Sequence, residues 1–238
     1  MKYIIIILWA LYFVKTSAQQ ISGTELLERA IQYHDPNNEW ISFQGILSIT
    51  MKTPDQKERI SDIVIDLPKQ YFKLTAIKEG VRLDQTLDKG KCTLALNGSS
   101  TFSDEDAKTH RLTCERANMM KDYYTYLYGL PMKLKDPGTI IDPNVQTKIF
   151  KDKEYLVLKV SYDEEVGKDT WYFYFDPGTY AMEGYQFFHD ESKNDGEYIV
   201  LDGIEEVSTI KMPKTRAWYF NKDNTYLGTD VLTKGTSL

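Results

Sequence analysis

The chain has 238 residues, with 35 acidic against 29 basic side chains and a formal net charge of −6. An acidic balance excludes the clustered Lys and Arg that nucleic acid binding demands. No His or third Cys stands at ligand spacing to Cys92 or Cys114, so the two cysteines do not read as a metal site.

Residues 1–18 read as an export signal rather than as part of the fold. Lys2 gives a positive start, residues 4–14 an apolar run, and Thr16-Ser17-Ala18 small residues at a cleavage site near Ala18. An uncleaved transmembrane anchor is the competing reading, but it needs about 20 apolar residues. No Cys follows the run, so no bacterial lipoprotein anchor is available. Residues 19–238 then form one domain, periplasmic or secreted, long enough to bury a sizeable core. In an oxidising compartment Cys92 and Cys114 form a bridge; the alternative is two separate buried thiols. A bridge would close a loop of about 22 residues and contribute on the order of 3 kcal/mol.

Ser22-Gly23-Thr24-Glu25 has the form of a capping box. Leu26, Leu27, Ala30 and Ile31 follow at helical spacing, and Pro36 ends a helix over about 24–34. From Trp40 the period becomes two, with Phe43, Gly45, Leu47, Ile49 and Met51 on one side. Turn residues at Thr53-Pro54-Asp55, Leu67-Pro68-Lys69, Lys78-Glu79-Gly80, Asp88-Lys89-Gly90 and Asn97-Gly98 punctuate a meander of short antiparallel strands. Residues 115–128 lack Gly and Pro, and Met119, Met120, Tyr123, Tyr124 and Leu127 fall on one helical face. Gly129 and Pro131 close this second helix. Its greasy face either lies on the sheet as core or forms a lid over an apolar ligand, since Met adapts to varied shapes. Residues 130–144 follow as an irregular segment with three prolines. Strands are expected at 145–150, 155–162, 198–201, 207–212, 217–221 and 226–232.

The segment 169–189 carries the most information. Two aromatic runs, 170–175 and 180–188, flank the turn Asp176-Pro177-Gly178-Thr179, which predicts a hairpin. Trp171, Phe173 and Phe175 share one face, Tyr172 and Tyr174 the other. A strand apolar on both faces sits between two layers or against a ligand.

Catalytic motifs are absent from the sequence: no G-x-S-x-G, H-E-x-x-H, G-x-G-x-x-G or P-loop occurs. His34 ends the first helix, where its charge suits the helix dipole. Asp163, Glu164, Glu165 and Asp169 offer a carboxylate pair for hydrolysis or hard ligands for calcium, but read first as a solvated hairpin loop. The run 190–196 resembles a calcium loop only superficially. Asn97-Gly98-Ser99 matches a glycosylation pattern, yet Asn-Gly is first a turn signal. No cofactor is implied, and the oligomeric state is not encoded in any visible pattern.

Four stretches, YGLPMKLKDPGT, YDEEVGKDTWYFYFDPGTYAMEGYQFF, DGEYIVLDG and MPKTRAWYFNKDNTYLGTD, resemble a secreted Bacteroidota family of unknown function across nearly all of residues 22–234. The order helix, meander, helix, strands is also similar to the periplasmic lipoprotein carriers LolA and LolB, as is the Lys211-Met212-Pro213 step into the last strands. That likeness implies a mainly β (α+β) fold: a curved antiparallel half-barrel of about 11–12 strands with helices on the concave face. It carries over no functional residue. The expected function is a non-enzymatic binder of a lipid, a lipoprotein acyl chain or another apolar ligand, held by Met119, Met120, Tyr123, Tyr124, Leu127, Trp171, Phe173 and Phe175. A scaffold protein of the cell envelope with no ligand pocket is the alternative, and a carboxylate-pair hydrolase ranks third.

Overall fold

The computed structural model describes residues 21–238. The expected export signal at residues 1–18 lies outside the described residues.

Helix α1 (Gly23–His34) leads into five strands, β1 (Gln44–Lys52), β2 (Arg59–Asp66), β3 (Tyr71–Lys78), β4 (Val81–Asp88) and β5 (Lys91–Leu96). Two helices follow, α2 (Asp104–Thr109) and α3 (Cys114–Gly129). The second run comprises β6 (Thr139–Ile141), β7 (Gln146–Phe150), β8 (Lys153–Tyr162), β9 (Thr170–Phe175) and β10 (Met182–Phe188). Strands β11 (Glu197–Val207), β12 (Ile210–Phe220) and β13 (Tyr226–Ser237) complete the chain.

All 13 strands belong to one antiparallel sheet in the order β5-β4-β3-β2-β1-β13-β12-β11-β10-β9-β8-β6, with β7 also on β8. The last strand returns to pair with the first, so Gly45 faces Ser237 and Lys52 faces Thr229. β5 and β6 stand unpaired with each other at the two ends, and the curved sheet does not close. A twisted sheet of this many strands curls, and the apolar concave face is where α1 and α3 lie. α1 packs on β8 and β12, and α3 on β3, β4 and β5. Leu26, Leu27 and Ala30 of α1 join Leu47, Ile49, Ile63, Ile65, Phe173 and Phe175 in one continuous core.

Local chemistry explains where the elements differ from the expected ones. Ser22 caps α1 by accepting the Glu25 N–H at 3.2 Å, but Glu25 turns to Arg29, so the capping box is only half made. The complete box is at Ser103 and Asp106, which start the unanticipated short helix α2. Gly129 lies inside α3 rather than beyond its end. A Cβ there would meet the Trp40 indole at 2.4 Å, so close packing requires glycine. Residues 130–144 are not irregular throughout: Met132–Lys135 forms a 3-10 turn and β6 follows. Leu130, Met132 and Leu134 are buried and anchor the segment to the core. The strands expected at 207–212 and 217–221 are a hairpin end and the far half of β12. Proline 213 is tolerated mid-strand because the β12–β13 ladder begins only at Thr215, leaving Pro213 with β11 alone.

His34 departs most from expectation. Its ring is buried, with Nδ1–H donating to the Lys211 carbonyl at 2.6 Å. Nε2 accepts the Met182 N–H at 2.9 Å. Both nitrogens of a neutral imidazole are thus used, and a second ring proton would face an N–H. Burial, reinforced by the charges of Lys211 and Arg216, pulls the pKa down to about 4. His34 is a neutral tie between α1, β10 and β12, not a charge on the helix dipole.

Two expected outcomes follow from this architecture. Cys92 and Cys114 are bonded to each other, tying β5 to the first residue of α3. Replacing both with Ser lowers the free energy of unfolding by about 3 kcal/mol in the chain-entropy account, read as a lower urea midpoint; an unchanged midpoint would show that packing alone fixes α3. For His34, the native state binds fewer protons than the unfolded chain between the printed pKa of about 4 and the ordinary 6.5. Stability therefore falls as pH drops through that window, by roughly 1.4 kcal/mol per pH unit from this group. His34→Gln, compared with wild type by urea unfolding at pH 7 and pH 5, removes that component of the slope. Equal slopes would show that His34 is protonated in the fold.

Candidate functional site

Helix α3 is held across the concave face at both ends. Thr113 caps it by accepting the Arg116 N–H at 3.1 Å, and the disulfide fixes Cys114. At the far end the buried Arg216 donates from Nη2 to the Leu127 carbonyl at 2.9 Å. Arg216 also sits over the Tyr128 ring, 4.0 Å from its centroid. In the same last turn the Tyr126 and Tyr162 hydroxyls share a hydrogen bond of 2.6 Å.

The five predicted α3 residues divide between two rows. Met120, Tyr124 and Leu127 are buried in the core, three and four residues apart as one helical row. Met119 is 46% exposed, and Met119, Tyr123 and Tyr126 form the neighbouring row. This second row looks into a groove of about 710 Å³ between α3 and the sheet. Leu127 reaches the groove as well. Across it stand Trp171 of β9, Phe187 of β10 and Trp218 of β12. Pro137, Thr139, Val166 and Gly167 also line it. Phe173 and Phe175, on the same strand face as Trp171, are fully buried in the main core. A second cavity of about 460 Å³ lies on the other flank of α3, with Trp40, Leu67, Phe72 and Leu87 on the side opposite Asn118, Lys121 and Thr125.

Ring packing fixes the groove walls. Trp171 stacks on Phe187 with centroids 4.8 Å apart and meets Tyr126 edge-on at 5.9 Å. Trp218 stacks on Tyr123 at 6.4 Å. The opposite face of the hairpin has a different use. Tyr172 and Tyr174 join Tyr155, Val157, Phe150 and Phe188 in a small cluster on the outer side of the sheet. Lys148 lies 4.1 Å from the Tyr172 centroid, and Glu191 accepts the Tyr172 hydroxyl proton. Long side chains thus cover the outer rings.

Charged groups enter the concave face at specific strand positions. Glu197 shares the inward side of β11 with Ile199 and Leu201, and it lines the groove. Its carboxylate makes no hydrogen bond or ion pair among the described residues, and burial raises its pKa against the pull of His189. Asp169 pairs with His189 at 2.7 Å, a contact that raises the imidazole pKa. Asp136 pairs with Lys133. Deeper, Arg216 faces Asp230 across the β12–β13 ladder, and burial raises the Asp230 pKa against the pull of Arg216 and Arg59. Buried polar atoms of Arg59, Arg216, Asp230, Tyr128, Tyr185 and Trp218 have no hydrogen-bond partner among the described residues. Such groups are uncommon in a close-packed core and mark this layer as polar.

The other sequence candidates are accounted for locally. Glu164 pairs with Lys168 across an exposed turn at 3.1 Å, so the acidic run is a solvated loop apart from Asp169. Asp190 caps the 3-10 turn Glu191–Lys193. The Asn97 side chain accepts the Arg82 N–H of β4 at 2.9 Å, tying its turn to the neighbouring strand. Among the described residues no group of three or more His, Cys, Asp or Glu is placed to hold a metal ion. Among them, too, no helix is long and apolar enough to cross a membrane. Sequence reading missed Tyr126, Phe187, Glu197, Arg216 and Trp218. The signal for the charged pair lay in strand alternation, in Glu197-x-Ile199-x-Leu201 and Arg216-x-Trp218.

Groove width is set by rings, so removing one enlarges it. Trp171→Ala leaves the fold intact with a loss of about 3–5 kcal/mol, measured by urea unfolding. A loss below about 1 kcal/mol would mean that Trp171 packs on nothing that matters.

Comparison with known proteins defines the fold and the family. A LolA superfamily protein from Nitrosomonas europaea superimposes with a TM-score of 0.54 at 10% identity, covering 92% of this chain and 94% of that one. A putative outer membrane lipoprotein-sorting protein domain from Vibrio parahaemolyticus gives 0.48 at 11% identity, covering 88% and 90%. A DUF1329 family protein from Desulfovibrio piger ATCC 29098 gives 0.46 at 6%, covering 92% and 94%. No curated protein sequence matches significantly. The first of these likenesses shows the fold alone: a mostly antiparallel, open, curved sheet similar to that of the LolA superfamily protein. A match spanning residues 2–234 shows that the chain belongs to the Family of unknown function (DUF6503).

Proposed function

We propose that the protein is an exported, non-enzymatic carrier that holds a lipid, a lipoprotein acyl chain or another apolar ligand in the groove between α3 and the sheet. The observation that carries this reading is the groove of about 710 Å³ lined by Trp171, Phe187, Trp218, Tyr123, Tyr126 and Leu127. Its size is in the range of small-molecule sites, and its walls are mostly apolar with a few polar groups. Each CH2 buried there gains about 0.8 kcal/mol, so even a short alkyl segment is retained. The half-exposed Met119 at the rim suits chains of varied shape. Export is supported by the leading apolar run and by the disulfide, which persists in oxidising compartments. The resemblance to lipoprotein carriers adds an analogy of fold, which by itself does not fix function.

A scaffold role has one observation in its favour: Met120, Tyr124 and Leu127 pack as core, and α3 is fixed at both ends. The two readings part on ligand uptake. N-phenylnaphthylamine, a neutral apolar dye, should gain fluorescence on binding the mature protein. Thr139→Trp, at the groove wall away from the core, should weaken that binding by roughly tenfold with an unchanged circular dichroism spectrum. Absence of uptake by wild type, with slow hydrogen exchange along α3, would establish the scaffold role.

A further inference from the structure

The groove is apolar in its walls but strongly biased in charge. Asp122, Asp136, Asp169 and Glu197 line it against the single ammonium of Lys133. Lys133 is already engaged by Asp136, Asp169 by His189 and Asp122 by Lys121. Glu197 is different. It stands at an inward strand position beside Trp218 and Phe187; no hydrogen bond or ion pair among the described residues engages its carboxylate, and the cationic group that acts on it, the His189 imidazole, is already bonded to Asp169. Its register partners on the flanking strands are Phe187 and Phe220, neither of which carries charge. A half-buried carboxylate without a partner is costly, and a bound cation removes that cost.

The rings point the same way. Trp171 and Trp218 each present aromatic surface to the groove, stacked on Phe187 and Tyr123 respectively. Tryptophan faces attract ammonium groups most strongly among the aromatic side chains, and quaternary ammonium is the ligand for which aromatic cages are best known. A carboxylate or phosphate in the same place would meet the negative faces of these rings and the charge of Glu197.

We infer that the groove selects an amphiphile whose polar end is an amine or quaternary ammonium, with Glu197 as its counter-charge and Trp171 and Trp218 as its aromatic walls. This inference rests on the groove being the ligand site. It narrows the ligand from any acyl chain to one with a cationic head, and it excludes free fatty acids as the preferred cargo.

A matched set of probes tests it: decyltrimethylammonium and decanoate below their micellar concentrations and decanol below its solubility limit, each titrated by isothermal calorimetry into the mature protein. The expected order of affinity is ammonium, alcohol, carboxylate, with about tenfold between the first and the last. Glu197→Gln should reduce the ammonium-over-alcohol ratio severalfold, with an unchanged circular dichroism spectrum showing the fold intact. Glu79→Gln, at an exposed turn far along the chain, makes the same change in net charge and should leave the ratio unaltered. Decanoate binding as tightly as the ammonium, or a ratio insensitive to Glu197, would overturn the inference while leaving the apolar carrier standing. No binding of decanol or of either ion would overturn both.

Discussion

An open curved sheet has one apolar concave face and too little helix to cover it, and this mismatch organises the molecule. The sheet does not close on itself, so no barrel interior fills with its own side chains. Its inner face is buried instead by α1 at β8 and β12 and by α3 at β3, β4 and β5. What the helices leave uncovered is the space beside α3. Two cavities flank that helix, one toward β2–β4 and a larger one toward β8–β12. The groove is thus the part of the concave face that the helices do not fill.

The position of α3 decides which side chains are core and which line the groove. Its start is fixed covalently to β5 through Cys92–Cys114, and its last turn is bonded by Arg216 from the middle of β12. Between these ties the helix presents two rows of side chains. Met120 and Tyr124 pack inward with the first sheet segment, while Met119, Tyr123 and Tyr126 meet the aromatic wall of the second. The bonding of Arg216 to a helix-end carbonyl also explains how a full charge is kept under the helix. A carbonyl at the C-terminal end carries the negative end of the helix dipole.

Polarity in the concave face is distributed by depth. Arg216, Asp230 and Arg59 form a buried layer whose charges partly offset each other, as the opposing pulls on the Asp230 pKa show. Nearer the opening, Glu197 has only the pull of His189, itself bonded to Asp169, and the rings of Trp171 and Trp218 line the space it faces. The outer side of the same hairpin carries a small aromatic cluster under lysines. One strand, β9, therefore supplies the main core, the groove wall and an outer satellite cluster from three sets of rings.

Much of this fold is local chemistry and was legible in the amino-acid order. The period-two runs, the turns at Asn97-Gly98 and Asp176-Pro177-Gly178, the 3.6-period stripe of Leu26, Leu27 and Ala30, and the facing of Trp171 with Phe173 and Phe175 all follow from residues within a few positions of one another. The helix stripe of Met119, Met120, Tyr123, Tyr124 and Leu127 was legible as a face but not as two rows, because a single helix does not know which neighbours it will meet. His34 looked like a helix-end charge because its partners, Met182 and Lys211, are about 150 and 180 residues away. Glu197 and Arg216 looked like ordinary strand residues for the same reason. The sequence by itself determined the alternation that sends each side chain to one face or the other. Only the tertiary structure decided what each face meets, since the return of β13 to β1, the tie of β5 to α3 and the reach of Arg216 to Leu127 join parts of the chain that share no local pattern.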